Sequence, residues 1–482
     1  MSQVENGIIP IYENFINGQF IATKSHYEVK NPATHALISK VSSSDINDVN
    51  HAVEAALAAK KAWARRPAIE RAYYLHKIAA AIRLQKSRLA NVISREQGKT
   101  LNLAEIEVSF TADYLDYMAE WARRIEGEII PSDRQNETIM LFRKPLGVIA
   151  GILPWNFPFF LIARKMAPAL ITGNTVVIKP SEETPNNCYE FARIVASVGL
   201  PAGVFNVVNG TGLVGGNLSE HSDINMVSFT GSVKTGHAIM RAAANNLTKV
   251  NLELGGKAPA IVLADADLDL AATAIRNSKI INSGQVCNCV ERVYVERKVA
   301  DEFIDKISSQ MSTVRYGDPL SNQSIDMGPL INSAALEKVE SMVNRAIQQG
   351  ATVLTGGQRA QVDQGFHFQP TVLMNCSDHM EIMKDEIFGP VLPIQIVENL
   401  DEAISLSNAS DYGLTSSIYT QSLSNTMHAI QELDFGETYI NRENFEAMQG
   451  FHAGVRKSGI GGADGKHGLY EYTHTHVVYL QN

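Results

Sequence analysis

The chain has 482 residues, of which 45% are hydrophobic and 19% charged, an ordinary composition for two or three globular domains. A net charge of -9 with no dense Lys/Arg tract argues against nucleic acid as a partner. Four cysteines do not make a secreted disulfide framework, and no charge-free run of about 18 apolar residues argues for a membrane span. The opening residues MSQVENGIIPIYENF carry early acidic groups and do not read as a signal peptide. A cytoplasmic protein is expected.

Residues 46 to 125 are Ala-rich with helical spacing. Acidic and basic residues interleave along AVEAALAAKKAWARRPAIERAYYLHKIAAAIRLQ, which reads as amphipathic helices with solvated charged faces. The segment EGEIIPSDRQNETIMLFRKPLGV (126–148) reads as two strands around a polar turn. From Leu146, strand-like TVVIKPS, VFNVVNG, INMVSFTG and APAIVL alternate with helix-like runs. That rhythm predicts a parallel sheet covered by helices. A second alternation from about Asp265 predicts a second α/β domain. The tail EYTHTHVVYLQN alternates as a terminal strand. A hairpin alone is marginal, so hairpin and tail together suggest an edge used for oligomerisation, with a surface flap as the alternative.

Three stretches are candidates for cofactor contact. The GxGxxG of Gly210, Gly212 and Gly215 follows VFNVV, but no acidic residue follows a second strand at the expected distance. In SFTGSVKTG an apolar strand runs into Thr230-Gly231-Ser232 and a helix start, where backbone N–H groups attract phosphate and Ser232 can cap. In VVIKPSEETP, Lys179 and Glu182 lie at a strand end. A carboxylate there accepts from ribose hydroxyls and repels a 2′-phosphate.

In INSGQVCNCVER, Cys287 and Cys289 stand one residue apart. An i,i+2 disulfide is too tight and a zinc site lacks further close ligands, which leaves a nucleophile or two core thiols. Cys188 and Cys376 read as inert core residues. The turn Gly284-Gln285 favours a presented thiol. In LELGGKAPAIVL, Glu253 interrupts an apolar run, either for a purpose or to pair with Lys257. In GILPWNFPFF, Asn156 is a lone amide among aromatics and prolines. Thiol, amide and carboxylate can attack a carbonyl, stabilise its oxyanion and activate water.

PWNFP, KPSE, FTGS, LELGGK, GQVC and EIFGPV occur in the order seen in the NAD(P)-dependent aldehyde dehydrogenase superfamily, with Glu253 and Cys287 34 residues apart. The chain resembles that superfamily over nearly its whole length. The resemblance implies a Rossmann-like cofactor domain (1–125 and 149–254), an α/β catalytic domain (255–460) and a β-flap for oligomerisation (126–148 and 468–482). It implies Cys287 as nucleophile, Glu253 as general base, and Asn156 with the Cys287 N–H as oxyanion site. Cys289 is then a neighbour without a catalytic role. NAD is the implied cofactor. Lys179 and Glu182 would hold the adenosine ribose. Trp155, Gly231 and Ser232 would lie near the pyrophosphate, Glu386 and Phe388 would position the nicotinamide ribose and ring, and Gly212, Phe229 and Leu254 would be further cofactor contacts. A homo-oligomer, as a tetramer built from dimers, is implied through the flap.

Where relatives carry a PFGG-like segment, this chain has GFHAGVRKSGIGG, preceded by NRENFEAMQG. Arg164, Asn288, Glu446 and His452 then resemble the branch that oxidises lactaldehyde and glycolaldehyde, where such positions contact a small hydroxylated substrate. A set of that kind would leave polar groups stranded around a long alkyl chain. Arg164 and Glu446 pairing with each other is the alternative. Val455 replaces a bulkier aromatic and bears on the pocket's size limit. Succinate semialdehyde and other short aldehydes are competing substrates. The CoA-acylating branch is disfavoured by Glu253, and an inactive relative has little reason to keep Cys287, Glu253 and Asn156 together.

Overall fold

The computed structural model describes residues 9–362 and 364–482. Residues 1–8, on which the leader reading partly rests, lie outside the described residues. None of the described helices is long and apolar enough to cross a membrane.

An eight-stranded sheet forms the first layered unit. Its order is Gly459–Ile460, Lys249–Glu253, Met226–Thr230, Val148–Ile152, Thr175–Lys179, Phe205–Val207, Asn14–Ile16, Gln19–Ile21. The five strands from Lys249–Glu253 to Phe205–Val207 are parallel. From Val148–Ile152 the chain steps outward to Phe205–Val207, then returns to lay Met226–Thr230 on the other side. The strand order reverses there, and ligands of open α/β sheets bind at the carboxyl ends beside such a reversal. The segments leaving those two ends are Leu153–Asn156 and Thr230–Ser232.

A seven-stranded sheet forms the second unit, ordered Thr352–Thr355, Thr371–Met374, Val391–Val397, Val290–Glu296, Ala258–Val262, Thr415–Tyr419, Glu437–Ile440. Only its Thr352–Thr355 edge is antiparallel. Chain order does not divide the two sheets cleanly. The first recruits Gly459–Ile460 from beyond all seven strands of the second.

The orphan segments meet in a separate sheet. Glu137–Pro145 is its centre, with Glu128–Pro131 on one side and Thr473–Gln481 on the other. Ile129 and Tyr479 are 76% and 66% exposed on it. The outer side of Thr473–Gln481 has no strand partner among the described residues.

The helical region comprises Ile46–Arg65, Ala68–Leu84, Lys86–Gln97 and Leu101–Ala119. Its reading as solvated charge needs correction at four residues. Arg71 is buried and donates from Nε to the Ile171 carbonyl at 3.0 Å. Glu96 is buried and accepts from the N–H groups of Asn186 and Asn187, both at 2.8 Å, at the start of the helix Asn186–Ser197. Lys99 and Glu107 are buried together. These side chains face helix ends and carbonyls that would otherwise lack partners.

Candidate active site

The cysteine loop is built under strain. Asn282, Ser283 and Gly284 all have positive φ, at 47°, 59° and 74°. Only the glycine adopts this freely. A Cβ on Gly284 would stand 2.3 Å from the Gly389 carbonyl. Strained backbone persists only when its surroundings over-determine it. Here the Ser283 hydroxyl donates to Gly328 O at 2.8 Å. The buried Gln285 amide donates to Asn282 O and Pro329 O and accepts from Ile331 N–H. Cys287 emerges half-buried from this clamp, while Cys188, Cys289 and Cys376 are buried, and all four are free thiols. Burial pushes the Cys289 thiol up to about 12 and that of Cys376 to about 11.

Asn156 meets this loop from the other sheet. Its Nδ2 donates to Gln285 O at 3.0 Å, and Asn282 Nδ2 donates back to Asn156 O at 3.1 Å. A primary amide has two N–H donors, so one remains for a ligand oxygen beside Cys287. Lys99 Nζ also donates to Asn156 O, at 2.7 Å, and pairs with Glu107 at 2.6 Å. The other Glu107 oxygen accepts from Phe159 and Phe160 N–H, at 2.8 and 3.1 Å, opening the helix Phe160–Thr172.

Glu253 ends its strand with both oxygens engaged. One takes Lys165 Nζ at 2.7 Å and the other the Thr230 hydroxyl at 3.1 Å. Burial opposes its ionisation, yet Lys165 and Arg164 outweigh burial and hold its carboxyl at about 2. The alternative pairing with Lys257 is not what occurs. Lys257 pairs at 3.0 Å with Glu291. The two glycines after Glu253 permit close approach. A Cβ on Gly255 would stand 2.6 Å from the Glu386 carboxylate, and one on Gly256 2.8 Å from Cys287 O.

Arg164 is buried among three carboxylates. It forks onto Asp464 and reaches Glu446 at 3.4 Å and Glu253 at 3.9 Å. Pairing of Arg164 with Glu446 alone therefore needs correction, since Asp464 is its principal partner. Asp464 reaches it from a positive φ of 71°. Glu446 also accepts from the Asn288 amide.

A cavity of about 270 Å³ is lined by Asn156, Arg164, Cys287, Asn288 and Glu446 among others. Phe110, Phe157, Phe160 and Phe445 give it an aromatic side, with Ile106 at an exposed rim. Val455 is outside this wall and 38% exposed, so it does not set the pocket's size. Glu253 and His452 are also off the wall. His452 is buried behind it, against Glu437.

A second cleft of about 510 Å³ adjoins the first and shares Pro154, Trp155, Thr230, Gly231 and Ser232 with it. Lys179, Glu182, Gly212 and Phe229 line it, with Ile152, Ile239 and Ala242 as apolar wall. Lys179 Nζ pairs with Glu182 at 3.0 Å. Ser232 caps the helix Val233–Ala244 through Thr235 N–H. Leu254, Glu386 and Phe388 sit at the junction, on the first cavity. Phe388 has φ 56°, and its ring meets Trp155 edge-on at 5.5 Å. Glu291, unremarked in the sequence, holds this turn by accepting from Ile387 and Phe388 N–H at 2.7 and 3.3 Å. An apolar slot ending in a Lys–carboxylate pair at the strand-order reversal fits an adenosine, and the Phe388 end reaches the thiol.

Residues 20–478 match the aldehyde dehydrogenase family. Over 471 residues the chain is 58% identical to lactaldehyde dehydrogenase of Escherichia coli (strain K12), covering 97% of this chain and 98% of that one. A crystal structure of the Escherichia coli lactaldehyde dehydrogenase superposes with a TM-score of 0.97 at 57% identity, covering 98% of this chain and all of that one. D-glyceraldehyde dehydrogenase (NADP(+)) of Thermoplasma acidophilum is 36% identical over 473 residues, covering 97% of this chain and 95% of that one.

Lys99 connects the Asn156 loop to the helical region. Lys99→Met leaves Glu107 buried without its cation and is expected to destabilise the fold by about 3–5 kcal/mol. Urea unfolding of the variant against wild type measures this.

Proposed function

The chain belongs to the aldehyde dehydrogenase family, and we propose that within it the substrate is a small 2-hydroxyaldehyde: lactaldehyde oxidised to lactate, glycolaldehyde to glycolate. The family couples aldehyde oxidation to a nicotinamide dinucleotide, which when bound accepts hydride. The observation that carries the substrate reading is the polar group Arg164–Glu446–Asn288 on the wall beside Cys287. The 58% identical relative named for lactaldehyde supports it.

In this reading Cys287 sulfur adds to the carbonyl carbon. Sulfur suits the task as a strong nucleophile when ionised and a ready leaving group from a thioester. The free N–H of Asn156 and the Cys287 N–H hold the carbonyl oxygen as it gains charge. Glu446, Arg164 and Asn288 receive the 2-hydroxyl. Glu253 then deprotonates water for thioester hydrolysis. A carboxylate held near 2 by Lys165 is a weak base, so it must leave Lys165 first. Lys179 and Glu182 would hold the adenosine ribose, Gly212, Gly231 and Ser232 the pyrophosphate, and Glu386 and Phe388 the nicotinamide end. Phe229 and Leu254 wall the cofactor, as does Trp155. NAD is preferred because the Glu182 carboxylate opposes a 2′-phosphate.

The exposed apolar side chains of the flap and the open side of Thr473–Gln481 support a homo-oligomer, a tetramer as a dimer of dimers. The four free cysteines support a cytoplasmic location.

Four outcomes test these assignments. NADH formation with L-lactaldehyde, glycolaldehyde, propanal and succinate semialdehyde should give the highest kcat/KM for the two hydroxyaldehydes. Glu446→Gln should cost those two about tenfold or more while sparing propanal, and a propanal or semialdehyde optimum rejects the hydroxyl pocket. Glu182→Ser should narrow the NAD preference by about tenfold, and a wild type that favours NADP overturns that preference. Light scattering should show a tetramer that Val477→Asp splits into smaller species, whereas a monomeric wild type rejects the flap assignment.

A further inference from the structure

One buried carboxylate at the site lies off the cavity wall. Asp464 is 2% exposed and precedes the helix Gly465–Glu471. Its backbone, at φ 71° and ψ 165°, occupies a region that is essentially glycine's own. Gly461, Gly462, Gly465 and Gly468 surround it in sequence, yet this position carries a side chain. Main-chain bonds on both sides hold it there. Ala463 exchanges two with His452, both at 2.9 Å, Gly465 N–H donates to Met448 O at 3.0 Å, and Asp464 O accepts from Gly468 N–H at 2.9 Å. Strain of this kind persists only where the surroundings over-determine it.

What the strained residue aims is a fork onto Arg164. Nε of Arg164 donates to Oδ1 of Asp464 at 3.1 Å, and Nη2 donates to Oδ2. These are the guanidinium's hydrogen bonds among the described residues. Nη2 is also 3.4 Å from Oε1 of Glu446, and Nη1 is 3.9 Å from Oε2 of Glu253, as ion pairs without a hydrogen bond. Glu446 lines the cavity beside Cys287 and Asp464 does not. Oε2 of Glu446 accepts from the Asn288 amide, while Oε1 has no hydrogen-bond donor among the described residues. A guanidinium and a carboxylate favour two parallel bonds. Without Asp464 the fork would turn to Glu446, the nearer of the two remaining carboxylates, and would occupy that open oxygen.

We propose that Asp464 determines specificity as a positioning residue: it holds Arg164 off Glu446, so that Oε1 of Glu446 is left to accept a hydrogen bond from a substrate hydroxyl. This rests on the hydroxyaldehyde reading and names the atom and the direction of the hydrogen bond within it. The pocket then recognises a hydroxyl as a donor. An ether oxygen at the same carbon, which can only accept, gains nothing from Glu446.

The test compares wild type on two pairs of aldehydes of matched shape. Glycolaldehyde has a hydroxyl where propanal has a methyl, and methoxyacetaldehyde has an ether oxygen where butanal has a methylene. kcat/KM should be about tenfold or more higher for glycolaldehyde than for propanal, but within about twofold between methoxyacetaldehyde and butanal. An ether preference as large as the hydroxyl preference means that an N–H donor reads the substrate, and overturns the proposal. Asp464→Asn should cut the glycolaldehyde-to-propanal ratio by about tenfold, chiefly through KM. Asp464→Gly removes the carboxylate from a backbone that suits glycine and should do the same, so the test survives if the amide variant fails to fold. Adding Arg164→Met removes the competing fork and should return part of the ratio. A structural role alone would slow both aldehydes together, so an unchanged ratio in the single variants overturns the proposal, as does a double variant no more selective than the single. Failure of the hydroxyaldehyde reading is read separately, in a wild type that does not prefer glycolaldehyde to propanal.

Discussion

The reciprocal amide bonds between Asn156 and the cysteine loop are the constraint on which the site depends. Asn156 leaves the first sheet at its strand-order reversal, and Gln285 and Asn282 belong to the second unit. In the proposed mechanism the aldehyde oxygen is held where the Asn156 amide and the Cys287 N–H converge. Neither segment fixes that point alone. The bond to Gln285 aims the amide, Lys99 anchors the carbonyl of the same residue, and the Gln285 side chain holds the strained turn from below. Each partner is buried, so water cannot replace a bond that opens, and leaving one unmade costs about 1–3 kcal/mol. The geometry is therefore held by what its loss would cost, more than by the strength of any one bond.

Charge is handled by the same logic. Removing carboxylates from water is expensive, and each buried one here meets a cation or several N–H groups. Lys165 keeps Glu253 ionised but engaged, Arg164 gathers Glu446 and Asp464, and Lys257 with Lys279 hold Glu291 under the Phe388 turn. If Glu253 is the base proposed above, its paired state is a resting arrangement. A carboxylate at about 2 has little affinity for a proton from water. Separation from Lys165 would raise that affinity at the stage when a thioester awaits hydrolysis, and would keep the group from competing for the thiol proton before it.

The residues that break a local pattern were legible in the sequence. Asn156 stands among aromatics, Glu253 inside an apolar strand, and Cys287 after a glycine turn, so each calls for a reason. Their supports follow local rules and give no such sign. Glu96 and Glu107 sit on helices, and Lys99 in the loop between them, at places where a charge ordinarily faces water, and only tertiary packing turns them inward. Asp464 reaches Arg164 across 300 residues of sequence. The aromatic wall of Phe110, Phe157, Phe160 and Phe445 comes from three separate parts of the chain, each ordinary in its own window. The fold shows the same limit. The parallel β-α rhythm is periodic and readable, whereas the two- and three-residue strands Gly459–Ile460 and Asn14–Ile16 are too short to carry a period.

Those short edge strands matter for chemistry as well as topology. Gly459–Ile460 pairs antiparallel with Lys249–Glu253, with Gly459 opposite Glu253 itself. The same excursion of chain carries His452, bridges it to Ala463 and sets Asp464 against Arg164. One segment thus crosses from the second sheet to the first while touching the Glu253 strand and the Arg164 guanidinium. A displacement of this segment would disturb the Arg164–Asp464 pair and the seating of Glu253 together. Polar residues confined to such a crossing segment are coupled by the backbone that carries them, so substitutions of His452 and Asp464 should combine non-additively even where their side chains do not touch.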